Sequence, residues 1–277
     1  MIRKLALVSL MALSTTSVLA GQQTWNFNDG HLSGNNAGNT LDLSSGGVTL
    51  EVSAWASTDN GCNNNGQYGN GTGSGDPDPC IRDAKINNFN SYGIGIENRD
   101  ETYNGYTNAP QHAIDNIKNG GNSNDLDYEM ILLTFSEAVN VSGFNIGWTH
   151  SDSDLSILAY NGSNQNPDFF NGNTRWADIV GNGTNGGWDL VQESGDVDDY
   201  STLNVSNGTL FSRYWLVGAY NDVFGGTNWS NSNDAFKLKG LATVSHEDTT
   251  GPVNSNTPAV LALMGMFLLL MGYRRKA

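Results

Sequence analysis

Tyr128-Glu-Met-Ile-Leu-Leu-Thr-Phe135 is the stretch on which the fold turns. It is apolar almost without a break, and such a run reads as a strand buried between layers. Downstream, Val139-Asn-Val-Ser-Gly-Phe-Asn-Ile-Gly-Trp148 alternates through Val139, Val141, Ile146 and Trp148, with Gly143 placed for a bulge. Leu155–Tyr160 is a further strand that ends on Asn161-Gly162, a tight-hairpin signal, and His150-Ser-Asp-Ser-Asp154 forms the polar tip before it. Arg213–Tyr220 reads as another buried strand, and Asp234–Val244 as a closing strand with Phe236, Leu238 and Leu241 inward. Upstream, Gly47–Ala56 alternates with Val48, Leu50, Val52 and Ala54 on one side, and Thr24-Trp-Asn-Phe-Asn28 reads as the first strand. In Ser91–Ile96 the glycines Gly93 and Gly95 strip side chains from one face, which predicts a closely packed neighbour.

Short strands punctuated by turns, with no helical period and no internal repeat between the termini, predict an all-β chain. The expected architecture is a single antiparallel β-sandwich over residues 21–245, jelly-roll-like, with long Gly/Asn-rich loops. Composition agrees. With 34 Gly and many Asn the chain has little from which to build helices, while 7 Trp, 10 Tyr and 10 Phe supply a core. The net charge is −15, and five of the 13 basic residues (Arg3, Lys4, Arg274, Arg275, Lys276) sit in the terminal segments, where none of the 28 acids lie. The body is therefore more acidic than the chain as a whole. Repulsion disfavours nucleic acid or an anionic membrane surface as partners and favours cations or a salty medium.

Residues 1–20 read as a secretory signal peptide: Arg3 and Lys4, an apolar stretch over Leu5–Leu13, then Val18-Leu19-Ala20 before a cleavage site. Export allows disulfides, and Cys62 and Cys80, the only two cysteines, bracket the long irregular stretch from Thr58 to Pro79. One bond between them would close that loop and contribute roughly 3 kcal/mol in the chain-entropy model. Residues 246–257 form a polar linker. From Pro258 the chain is apolar through Tyr273 and ends Arg274-Arg275-Lys276-Ala277, a transmembrane-like helix. Its apolar part spans roughly 22 Å against a hydrocarbon core of ~30 Å, and its basic end suits the cytoplasmic side.

Thr257-Pro258, the Ala259-Val-Leu-Ala-Leu-Met-Gly265 opening and Arg274-Arg-Lys276 together resemble the bacterial PEP-CTERM sorting signals, with Asn256-Thr-Pro258 where Pro-Glu-Pro stands in the usual pattern. The resemblance implies an exosortase-type transpeptidase as partner, with the sorting signal at Thr257, Pro258, Arg274, Arg275 and Lys276. It also implies a protein held transiently in the inner membrane by its C-terminal segment and then passed to the cell surface or matrix. Gly93–Glu101, Pro110–Asn116, Asp152-Ser-Asp154 and Tyr214–Asn221 are similar to stretches of exported Gram-negative β-sandwich proteins that carry such signals.

Three oxygen-rich clusters are candidates for Ca²⁺, which takes carboxylate, amide and carbonyl oxygens. The favoured one is Asn98, Asp100 and Glu101 with Asp115; the others are Asp152 with Asp154, and Asp222, Asn233 and Asp234, joined by Asp29 if the first and last strands are neighbours. Trp176 and Trp229, in loops, are the candidates for an exposed carbohydrate-stacking surface, whereas Trp55, Trp148 and Trp215 are assigned to the core. No catalytic residues are predicted: His112, His150 and His246 are isolated, and neither G-x-S-x-G nor H-E-x-x-H occurs. The expected role is a structural or adhesive surface or matrix protein. The alternatives are a Ca²⁺-assisted carbohydrate-binding module that meets surface or matrix polysaccharide and, third, a glycan hydrolase or lyase, which reducing-sugar release would reveal.

Overall fold

The apolar octet at 128–135 leads into the longest strand among the described residues. The computed structural model describes residues 21–57, 80–98, 112–117, 128–164, 169–170, 174–181, 186–230 and 232–245. The expected signal peptide, linker and sorting segment, and with them Cys62, Asp100 and Glu101, lie outside the described residues. The strands are β1 (Gln22–Asn26), β2 (His31–Leu32), β3 (Thr40–Ser45), β4 (Val48–Ser57) and β5 (Ile81–Asp83). They continue with β6 (Lys85–Asn88), β7 (Ile94–Glu97), β8 (Ile114–Asp115), β9 (Glu129–Ser151) and β10 (Leu155–Tyr160). The last are β11 (Trp188–Ser194), β12 (Thr202–Asn204), β13 (Ser212–Ala219) and β14 (Asp234–Ser245). One helical turn, Trp176–Ile179, and three short 3-10 turns complete the regular structure among the described residues. All the named strand pairs are antiparallel and belong to one curled sheet. No helix among the described residues is long and apolar enough to cross a membrane.

Two strands were expected at 128–135 and 139–148; the structure joins them into the 23-residue β9. Its first half lies between β4 and β13, with Val52↔Leu133 and Leu216↔Leu132 in register, and its second half lies between β14 and β12. The polar Ser136 and Glu137 mark the junction without breaking the chain direction, because no Gly or Pro is there to turn it. The predicted bulge is present: Ala242 faces Gly143 while Thr243 faces Val141, leaving Ser142 as the extra residue. The Asn161-Gly162 signal does not make a tight hairpin. β10 pairs instead with β11, which starts at Trp188, because the intervening segment supplies Phe169, Phe170, Trp176 and Ile179 to cover the sheet.

Alternation then decides which side each residue covers. Ile131, Leu133 and Phe135 of β9 join Trp215 and Val217 of β13, Phe236 and Leu238 of β14 and Trp25 of β1 in one apolar cluster, drawn from both halves of the curled sheet. Met130, Leu132, Leu158, Leu216 and Trp188 face the other way and pack under Trp176, Phe169 and Phe170. The strand read as buried on both faces is so buried, and this is why it carries no polar alternation. Trp215 is in the core as expected, but Trp55 and Trp148 are only half-buried. Gly93 and Gly95 do mark close packing: a Cβ would fall 2.2 Å from Leu238 O at the first and 1.8 Å from His112 O at the second. Cys80 is buried and disulfide-bonded, but the expected partner, Cys62, is outside the described residues.

The first and last strands are neighbours. β1 pairs with β14 from Gln22↔Val244 to Asn26↔Gly240, and Ser245 N donates to Gly21 O at 3.1 Å. The two ends of the folded unit therefore meet at one end of β14, while Asp234 opens the strand roughly 35 Å away at its other end.

Candidate functional site

The acidic residues predicted as separate clusters meet where β9, β10, β13 and β14 begin or end. β14 starts at Asp234, which bridges to Asp152 just beyond β9, and Ala235 N donates to Asp152 O at 3.1 Å. Asp154 leads into β10, its backbone N–H donating to Asp234 Oδ1 at 2.8 Å and its carbonyl accepting from Tyr220 N at 3.0 Å. Asp196 sits in the turn after β11 with φ +50°, a conformation that Asp tolerates better than most residues, and its N–H donates to Asp154 Oδ1 at 2.8 Å. One carboxylate oxygen each from Asp152, Asp154 and Asp196 lies within 4.8 Å of the other two. These three aspartates can hold a metal ion.

The surrounding loops are pinned to this end. Asn233 Nδ2 donates to Asp152 Oδ2 at 2.7 Å, and Ser230 Oγ donates to the same oxygen at 3.2 Å. Asn233 Oδ1 is buried and accepts no hydrogen bond. A neutral amide oxygen is among the ligand types Ca²⁺ takes. Thr227 donates to Glu193 Oε2 through both its N–H and its hydroxyl, each at 2.7 Å, tying the loop after β13 to β11.

Burial shapes the electrostatics. Asp234 is fully buried, accepts from Asn116 Nδ2 at 2.5 Å and returns its own N–H to Asn116 Oδ1 at 2.9 Å. Loss of solvent raises its pKa to about 7 despite those hydrogen bonds, and the charges of Asp154 and Asp152 push the same way. The Asp154 pKa is raised as well, first by burial and then by Asp152, Asp196 and Glu193, against the hydrogen bond from Asp196. A cation among these oxygens would relieve the mutual repulsion.

The sequence-predicted residues divide three ways. Asp152, Asp154, Asn233 and Asp234 come together, although they were placed in two clusters. Asp222 accepts from Tyr128 OH at 2.7 Å, and Asp29 lines a separate cleft with His31 and Asp42. Of the favoured first cluster, Asn98 and Asp115 are described and buried, and Asp115 N donates to Glu129 Oε2 at 3.1 Å. Asp196 and Asn116 were missed as site residues. The signal for Asp196 was present, since Glu193, Asp196, Asp198 and Asp199 crowd one short stretch of sequence, but its pairing with Asp154 needs the β10–β11 register. Trp176 is corrected: it is fully buried against Phe170 and Phe224, and a ring with no open face cannot stack on a sugar. Trp229 is half-exposed and packs on Tyr220 with ring centroids 5.5 Å apart. Its ring and Asp154 Oδ1 both abut Gly195, 3.2 and 3.1 Å from where a Cβ would be. No family model, curated protein or solved structure matches this chain.

Proposed function

We propose that the chain is an exported cell-surface or extracellular-matrix protein of structural or adhesive type, built as a single jelly-roll-like β-sandwich and stabilised by Ca²⁺ at its acidic end. The observation that carries the calcium part is the convergence of Asp152, Asp154 and Asp196 within 4.8 Å, beside the unpartnered Asn233 Oδ1. Ca²⁺ takes about six to eight oxygens, and water and backbone carbonyls would complete the set. The export part is supported by the leader, the acidic body and the likeness of residues 257–277 to exosortase signals. The folded unit fits that delivery, since Gly21 and Ser245 meet at one end of β14 and the acidic loops lie at the other. A transient hold through the C-terminal helix, followed by release to the surface, is the route the reading implies.

Melting the full chain with Ca²⁺ and with a chelator tests the cation; equal midpoints would end that part. Mass spectrometry of the mature protein's two ends tests the route. The expected product starts at Gly21 and lacks Arg274-Arg275-Lys276, and an intact basic end would overturn the sorting reading.

A second reading, a Ca²⁺-assisted carbohydrate-binding module, is favoured by one juxtaposition: the half-exposed Trp229 ring and Asp154 both lie against Gly195. Glycan binding that disappears both on Trp229→Ala and on chelation would select it.

A further inference from the structure

Among the described residues only two large apolar side chains stand exposed, and they stand together. Tyr200 is 63% exposed, Tyr92 is 40% exposed, and their rings lie 6.3 Å apart at 41°. An isolated exposed ring needs no explanation, but a paired one at a fixed spacing does.

The pair is built by two loops far apart in sequence that seat on adjacent residues of β9. The turn Asn90–Tyr92 packs so tightly on Gly147 that a Cβ there would lie 2.0 Å from Tyr92 O. The other loop reaches Ile146, whose N–H donates to Ser201 O at 2.9 Å. It is held further by Thr149, whose N–H and hydroxyl both donate to Asp199, and by β12 on β9 through Thr202↔Asn145. Tyr200 itself takes φ +51°, a conformation that costs free energy for a bulky residue and persists only where the surroundings impose it.

A hollow lies beside Tyr200. The registers set Asn26, Gly240, Asn145 and Thr202 in one row across β1, β14, β9 and β12. The β1 backbone closes over Gly240, where a Cβ would lie 2.1 Å from Trp25 O, and Asn26 and Asn145 flank that contact. With Tyr200, Thr24 and Lys239 they line a hollow of about 270 Å³. The Asn145 carboxamide oxygen accepts from Thr202 Oγ1 at 2.9 Å. Rigid aromatic faces next to carboxamides, hydroxyls and an ammonium match a ligand whose own surface alternates C–H faces with hydroxyls. A base could stack on the same rings, but a chain of net charge −15 repels a phosphate backbone.

We infer that Tyr92 and Tyr200, with Asn26, Asn145 and Lys239, form a binding surface for a hexopyranose chain, separate from the acidic end and from Trp229. The inference rests on the adhesive reading and names what the surface adheres to. The test is titration of the full-length protein with cellohexaose, mannohexaose and chitohexaose, in calcium and again in EDTA. At least one should bind in both conditions. Tyr200→Ala and Tyr92→Ala should each weaken that binding at least about tenfold, with Tyr200→Phe close to wild type and the melting midpoint unchanged in all three. Absence of binding to all three glycans would overturn the proposal, as would binding indifferent to both alanine variants. So would a tyrosine pair needed instead for self-association on size exclusion. Binding that is lost with EDTA would place the glycan at the acidic end. The proposal can thus fail while a calcium-dependent melt and a processed C-terminus leave the surface reading standing.

Discussion

Asn116 and Asp234 hold each other through a two-way contact: the Asn116 carboxamide donates to Asp234 Oδ2 at 2.5 Å and accepts from Asp234 N at 2.9 Å. Both residues are fully buried, and Asn116 Nδ2 also reaches Tyr220 O at 2.8 Å. One side chain thus links β14 to the end of β13 and satisfies a carboxylate that has no water to turn to. Everything at the acidic end is arranged around this pair.

Asn116→Ala should therefore cost far more than a surface change. It strands the Asp234 N–H, one carboxylate oxygen and the Tyr220 carbonyl, for a loss of about 2–3 kcal/mol in urea unfolding. A loss below the scatter of surface substitutions would mean that water replaces the amide.

Stability should fall as pH rises from about 4 to about 7. The folded pKa of Asp234 is about 7, while an unfolded Asp titrates near ~3.9. Between these values the folded state keeps a proton that the unfolded state has released. Raising the pH across that window costs up to about 1.4 kcal/mol per pH unit, and the penalty is complete above the folded pKa. The raised Asp154 pKa adds in the same direction. The melting midpoint, measured in EDTA, should rise from about pH 7.5 to about pH 5. Asp234→Asn should flatten that slope while lowering stability overall, because its NH₂ would meet the Asn116 donor.

Calcium should reverse part of this. At about a hundredfold excess over Kd, a cation bound only by the folded state adds about 2.7 kcal/mol. It also favours the ionised aspartates and so weakens the pH slope. Asp152→Asn and Asp196→Asn should each remove most of the calcium-induced shift in melting midpoint, with little change in EDTA for Asp196, which is exposed. Retention of the full shift in both variants would place the ion elsewhere.

Gly93→Ala should be costly at the start of β7. The residue has φ +90°, and the added Cβ would lie 2.2 Å from Leu238 O. Strain and the displaced β14 backbone together predict a loss of about 2 kcal/mol or more by denaturant unfolding. Gly47→Ala supplies the comparison, because its φ of +88° carries the strain without a neighbouring atom within 4 Å.

The strands were legible because their faces are chemically distinct. Val48, Leu50, Val52 and Ala54 face the core while Thr49 and Glu51 face out, and a period of two survives any tertiary context. The octet at 128–135 announced a doubly covered strand by the absence of that period. Gly93, Gly95 and the bulge at Gly143 were legible too, since each is a backbone requirement written in a single residue type.

Partnership was not legible. Asp152 and Asp154 lie two residues apart and pair in the sequence, but nothing there joins them to Asp196 or Asp234 until the β10–β11 and β9–β14 registers bring these segments together, with Asp152, Asp154 and Asp196 within 4.8 Å of one another. Trp176 looked like a loop aromatic, and only the cover it forms over Phe170 and Phe224 makes it core. Tyr92 and Tyr200 became a pair only through their seats on Gly147 and Ile146. The sequence by itself determined which segments are strands and which face of each is apolar, because alternation is a local property of the pleat. Only the tertiary structure decided which acids share a site and which aromatics stay in water. Those depend on strand order and register, which are set by contacts between residues distant in the chain.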